Sequence, residues 1–206
     1  MVSASSIVVT AVLAPFLVVG EAPIPKTPYG FTYADGAADA PIQIDFFLDL
    51  LCPYSRDAYP NVTKIATDFP DKIRVRFHHF PLPYHRNAFL LHHAAQALVN
   101  VTGSDAAFAS WAEAVYKDQS VFNENVSLGD AKAAIKKLAL GAFPELSGDD
   151  IDAGLKNRDR NLEVRADFKY GSTRGVYGTP SIYLNGIQAF DDVDYDILIK
   201  KIKPLF

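Results

Sequence analysis

The stretch Ile42-Gln43-Ile44-Asp45-Phe46-Phe47-Leu48-Asp49-Leu50-Leu51-Cys52-Pro53-Tyr54-Ser55 decides the fold. Its first seven residues form a short apolar run with β-branched and aromatic side chains, the length and composition of a buried strand. Pro53 suits the first turn of a helix, where a missing N–H costs nothing. Beyond it Tyr59, Val62, Ile65, Ala66 and Phe69 keep to one helical face until Pro70 stops the pattern. Cys52 therefore stands where a strand gives way to a helix. Pro60 removes one backbone hydrogen bond from that helix and predicts a kink.

Working outward, Lys72-Ile73-Arg74-Val75-Arg76-Phe77-His78 alternates apolar and polar, the signature of a strand with one buried face. Strand, helix and strand are complete by residue 80, which implies a right-handed crossover and parallel pairing. From about 86 to 175 only helical patterns appear, over 88–99, 106–116, 128–140 and 150–170. Ser127 with Asp130 makes a capping-box-like start for the third, and Ser147 or Asp149 can cap the fourth. The chain returns to strand at Thr179-Pro180-Ser181-Ile182-Tyr183-Leu184, then Asn185-Gly186 signals a tight hairpin into 187–190. A helix over 194–202 closes the chain, with Lys200 and Lys201 near its C-terminal dipole end. The order is βαβ, helical block, β-hairpin, α, an α/β fold. Removing the block leaves βαβ–ββα, one sheet covered by helices.

The chain has 206 residues, 49% apolar and 21% charged, enough for one packed domain and too few for two comfortable ones. A net charge of -4, with Lys and Arg spread along the chain, gives no electrostatic footprint for nucleic acid. Residues 7–19 are almost wholly apolar, too short for a typical membrane span but of signal-peptide length, with Gly20 and Ala22 as candidate cleavage positions. The basic segment that usually opens such peptides is missing. We read 1–22 as a signal peptide, 23–40, rich in Pro, Gly and Ala, as an extended leader, and 41–206 as the folded domain. Three sequons begin at Asn61, Asn100 and Asn125 and point to a glycoprotein on a eukaryotic secretory route.

Cys52 is the sole cysteine, so no intramolecular disulfide is available. A thiol is a nucleophile only as thiolate, and the unpaired N–H groups at a helix start favour negative charge. The competing reading is a buried, inert cysteine. His78-His79 and His92-His93 are adjacent pairs, and neighbours on a strand point to opposite faces, so neither pair has chelate spacing and no metal site is expected.

Phe47-Leu48-Asp49-Leu50-Leu51-Cys52-Pro53-Tyr54-Ser55 resembles the active-site entry of DsbA-like thioredoxin-fold proteins, in which C-P-Y-C is common. Pro60 matches the proline of the active-site helix in that fold, and 76–85 with Asn87-Ala88 looks like the segment after its second strand. Gly175-Val176-Tyr177-Gly178-Thr179-Pro180-Ser181 resembles its cis-proline loop, and the resemblance runs through 41–190 in order. It implies a thioredoxin-like fold with the helical block inserted between the second strand and the cis-proline strand. It also implies that Thr179-Pro180 is a cis peptide lying against Cys52, a turn that leaves backbone groups free to pair with an extended peptide.

Two departures narrow the chemistry. Ser55 stands where the second cysteine belongs, and Phe46 stands where many relatives carry an acid; Asp45 lies one position away and faces the other side, and Asp49 matches a family acid. The expected activity is monothiol exchange. The Cys52 thiolate attacks a disulfide, Ser55 donates a hydrogen bond to it, and Pro53, Tyr54, Thr179 and Pro180 hold the partner. An external thiol such as glutathione, a co-substrate rather than a bound cofactor, resolves the adduct. Expected partners are thiol- or disulfide-containing peptides. Two alternatives stay open: a glutathione-dependent transferase or isomerase of the kappa-class type, and a catalytically degenerate peptide-binding protein or Cys52-linked homodimer.

Overall fold

The computed structural model describes residues 23–189 and 193–206. The expected signal peptide and the end of the expected hairpin strand at Phe190 lie outside the described residues.

Strand β2 (Ile42–Leu48) and strand β3 (Ile73–His79) pair in parallel, Ile42 opposite Ile73 and Leu48 opposite His79. Helix α1 (Pro53–Asp68) joins them. It runs through Pro60 as one helix, with the proline on its exposed side. Strand β4 (Ser181–Leu184) lies antiparallel on the other side of β2, and β5 (Ile187–Gln188) pairs with β4. Asn185 and Gly186 both take positive φ, 47° and 84°, as the two-residue hairpin requires. The Asn185 side chain accepts the Gln43 N–H at 2.7 Å, so the turn also locks β4 to β2.

The reading of 23–40 as a leader outside the fold needs correction. Phe31–Thr32 forms β1, antiparallel to β3, and the sheet order is β1-β3-β2-β4-β5. Phe31 is buried and stacks on Phe108 at 4.6 Å. Gly30, at φ +89°, permits the approach, because a Cβ there would sit 2.6 Å from the His78 ring. A two-residue strand is too short to show a period of two, so the Pro- and Gly-rich surroundings dominate its sequence signal.

The insertion comprises α2 (Ala88–Thr102), α3 (Ala106–Lys117), a short 3-10 turn (Gln119–Phe122), α4 (Leu128–Ala142), α5 (Gly148–Lys156) and α6 (Arg158–Thr173). The single helix expected over 150–170 is thus two. Asn157 breaks it, its side-chain oxygen accepting the N–H groups of Asp159 and Arg160 as the N-cap of α6. Ser147 and Asp150 form the capping box of α5. Helix α7 (Tyr195–Ile202) buries Leu198 and Ile202 in the main core.

In β2 and β3 the alternation holds at the start and fails at the C-terminal ends, where consecutive residues are buried. There Phe46 faces the main core, while Phe47 joins Phe80, Leu82, Val176 and Tyr183 around Cys52. The helical insertion supplies this second covering layer: α6 crosses over Phe47 and Phe80 at Gly171, where an added Cβ would meet their rings at 2.9–3.0 Å.

Candidate functional site

Strand β2 ends at Leu48, and a turn in which the Cys52 N–H donates to the Asp49 carbonyl (3.1 Å) delivers Cys52 to the N-cap of α1. Pro53 follows at the first helical position. The Cys52 side chain caps no first-turn N–H, so the positive end of the helix lies open beside the sulfur. Gln119 Nε2 donates to the carbonyls of Leu50 (2.9 Å) and Cys52 (3.2 Å) and fixes the turn from the insertion side.

Thr179-Pro180 is a cis peptide, and the Cys52 thiol donates to the Thr179 carbonyl at 3.2 Å. Residues 127 apart in sequence are thereby brought together. The sulfur is recessed, Cys52 being 3% exposed. Ser181 Oγ donates to the Gly178 carbonyl at 2.7 Å and ties the loop down. Thr179 Oγ1 is buried with no hydrogen-bond partner. A groove of about 360 Å³ opens here, lined by Tyr54, Asp57, Asn61, Thr179, Pro180 and Asp194. Tyr54 and Tyr177 are exposed.

Of the residues singled out from sequence, Cys52, Thr179 and Pro180 meet, and Pro53 and Tyr54 border them. Ser55 is placed differently. It is fully buried, and its Oγ accepts the Asp49 N–H at 3.3 Å, whereas the hydrogen bond of Cys52 goes to Thr179. One helical turn inward from the cap, the Ser55 side chain points back at the end of β2. The expected hydrogen bond from Ser55 to the sulfur is therefore not formed in this structure.

What the sequence reading missed is a buried polar layer under the site. Asp49 is wholly inaccessible; its carboxylate accepts the N–H groups of Leu51 (2.9 Å) and Leu82 (3.1 Å) and contacts His85 Nδ1 at 2.6 Å. Burial would push its carboxyl up, but the surrounding groups of His92, Leu51 and His85 outweigh that and hold it below the usual carboxylate range. The Leu50 N–H donates to His92 Nε2, His92 Nδ1 meets His79 Nδ1 at 2.8 Å, and His79 Nε2 reaches Gln96 Oε1 at 3.2 Å. Burial, with His92 beside it, holds His79 well below the ordinary imidazole value.

On the outer side, His78 Nδ1 lies 2.8 Å from Asp167 Oδ1 and its Nε2 3.3 Å from Asp45 Oδ1, and Asp167 Oδ2 accepts the His79 N–H at 2.7 Å. Burial would lower His78, and the two carboxylates outweigh it and raise it. The only sequence signal for these contacts was a pair of histidines at a strand end. Among the described residues the histidines spend their nitrogens on carboxylates, amides and each other, and no group of three or more metal-ligating side chains gathers.

The sequence profile described as Thioredoxin matches residues 30–203. A Bacillus cereus protein named "Probable disulfide bond formation protein D" is 26% identical over 160 residues, 77% of this chain and 72% of its own. Oxidised BdbD from Bacillus subtilis superimposes with a TM-score of 0.69 at 19% identity, over 85% of this chain and 92% of its own. Pseudomonas aeruginosa DsbA2 gives 0.67 at 20% identity, over 88% and 97%. At these identities the structural likeness speaks for the fold.

Proposed function

The chain belongs to the thioredoxin family and has the DsbA-like form of its fold, and from that premise we propose that it is a thiol–disulfide exchange protein working through one cysteine. The observation that carries the reading is the 3.2 Å contact between Cys52 Sγ and the carbonyl of Thr179, at a cis-proline and at a helix N-cap. The sulfur sits at the start of helix α1, and the cis-proline loop offers backbone groups to an extended peptide. A disulfide presented along the groove receives the Cys52 thiolate; one substrate sulfur leaves as thiolate with the electron pair, and the other stays bonded to Cys52.

Because Ser55 has no sulfur, nothing within the chain can displace that adduct. A second thiol from outside completes the cycle, and glutathione is our candidate. Ser55 serves by holding Asp49 and the turn in place rather than by touching the sulfur. A Cys52-linked homodimer is a weaker reading, since two sulfurs recessed to 3% exposure cannot reach bonding distance without rearrangement.

We further infer export to an oxidising compartment, where substrate disulfides persist; the apolar segment at 7–19 supports it. The eukaryotic route rests on the sequons alone, and the relatives compared are bacterial. Asn100 and Asn125 are exposed, while Asn61 Nδ2 is engaged with the Val193 carbonyl at 2.9 Å.

The test is turnover of a peptide carrying a glutathione mixed disulfide, with glutathione in excess. The expected result is catalysis by the native chain and none by Cys52→Ser. Equal rates for both would overturn the proposal.

A further inference from the structure

We propose that the cleft between the segment after β3 and helix α6 binds an anionic thiol compound and presents it to the Cys52 disulfide. The inference rests on the exchange reading above and specifies the chemistry of the resolving partner. The cleft, about 270 Å³, is walled by Leu82, Phe89 and Phe168 and rimmed by His85, Arg86 and Arg165. That is slightly below the roughly 300 Å³ at which ordinary ligand pockets begin, a size for a small molecule rather than a folded partner.

Three observations point to an anion. First, the lining contains two arginines and no carboxylate, in a chain whose net charge is -4. Secondly, these cations are not consumed by the protein. Arg165 has neither an ion pair nor a hydrogen bond among the described residues, and Arg86 donates only to the Glu124 carbonyl. Thirdly, the lining of the groove on the cis-proline side has no cation; it holds Asp194 and Asp57, the latter ion-paired with Arg56 at 2.8 Å. A negatively charged thiol is therefore favoured at the arginine-rimmed cleft over the cis-proline groove.

The connection to Cys52 runs through shared side chains. Leu82 belongs both to the cleft wall and to the buried cluster around Cys52, and Phe168 packs on that cluster. On this proposal a ligand sets its carboxylates on Arg86 and Arg165 and its aliphatic body along Leu82, the side chain that the cleft shares with the cluster around Cys52. Glutathione, with two carboxylates and one ammonium, is the probe of this class.

In the step, the incoming thiol, its proton already given to water, attacks the substrate-side sulfur of the Cys52 adduct. A new sulfur–sulfur bond joins it to the substrate fragment, and Cys52 leaves as thiolate with the electron pair and takes a proton from water. The two electrons that reduce the adduct come from the incoming thiol and the Cys52-bound disulfide is exchanged for a free one.

The experiment loads Cys52 of the full chain with neutral N-acetylcysteinamide and follows loss of the adduct by intact mass after acid quench. Glutathione, neutral 2-mercaptoethanol and cationic cysteamine are compared, each corrected for its thiolate fraction and for its rate with the disulfide dimer of N-acetylcysteinamide. Glutathione should exceed cysteamine by about tenfold, as expected of a few uncompensated charges at low salt. Arg86→Glu with Arg165→Glu should bring the two near parity, whereas Lys72→Glu with Lys200→Glu, the same charge change elsewhere, should leave the preference intact. No preference in the native chain, or one that survives charge reversal in the cleft, overturns the inference. Failure of all three thiols to beat the small disulfide instead refutes the exchange reading on which it rests.

Discussion

Asp49→Ala removes the carboxylate that joins the Cys52 turn to the segment after β3. Two N–H groups, of Leu51 and Leu82, lose their acceptor, and the His85 ring loses its contact at 2.6 Å. Each N–H left unpaired inside the protein costs about 1–3 kcal/mol. Two such groups together cost about 4 kcal/mol. With a urea m-value of about 2 kcal/mol/M for a domain of this size, the unfolding midpoint should fall by about 2 M. Asp49→Asn keeps one acceptor oxygen and should lose about half as much, which keeps the comparison measurable if the alanine variant is too unstable. Asp57→Asn, exposed in the groove, serves as a control and should change stability by less than about 1 kcal/mol.

The pH dependence has a definite sign. The Asp49 carboxyl is depressed in the folded chain, so its contribution is present above the unfolded value near 3.9 and is lost as pH falls through the lower folded value. Native and Asp49→Asn stabilities should converge in strong acid and differ fully at neutral pH. A midpoint shift below about 0.3 M at pH 7, or one equally large in acid, would refute the assignment of Asp49 as the buried anchor of the turn.

Ser55→Cys supplies the missing partner sulfur and should confer dithiol oxidation of reduced peptides; mass spectrometry should show loss of two hydrogens on oxidation, and a chain that stays reduced with excess oxidant would tell against the active-site register. Asp167→Asn should destabilise by about 2 kcal/mol through loss of its contacts to His78 and the His79 N–H. Because His78 is raised in the folded state, its share of that deficit should be full below the unfolded imidazole value near 6.5 and fade as pH rises through the folded value, a trend that urea titrations at pH 6 and above would read. Gly171→Ala forces a Cβ within 2.9–3.0 Å of Phe80 and Phe47; overpacking of about 1–3 kcal/mol should outweigh a helix-propensity gain of about 1 kcal/mol, and an unchanged melting temperature would contradict that packing.

The central βαβ unit, the Asn185-Gly186 hairpin and the junction at Cys52 were legible because each has a local cause: apolar period, positive φ, proline at a first turn. The cis-proline contact was reachable only through resemblance, since nothing local ties residue 52 to residue 179. β1 was missed because two residues carry no period, and the α5–α6 break because Asn157 caps without a proline or glycine to mark it. The buried layer of Asp49, Asp167 and the histidines was invisible for a different reason. A polar residue at a strand end reads as exposed until a second layer covers it, and here the covering layer is an insertion far along the chain. The same cause hid the role of Ser55, whose partner is a backbone amide rather than the neighbouring sulfur.

The central claim is that Cys52, held at the N-cap of α1 against Thr179, is a nucleophile for disulfides rather than an inert buried thiol. Its most direct test is the second-order rate of mixed-disulfide formation between the native chain and a disulfide-bonded peptide, compared with free glutathione at the same pH. The account predicts a rate at least about tenfold higher for the protein, abolished in Cys52→Ser. A rate equal to or below that of free glutathione would contradict it.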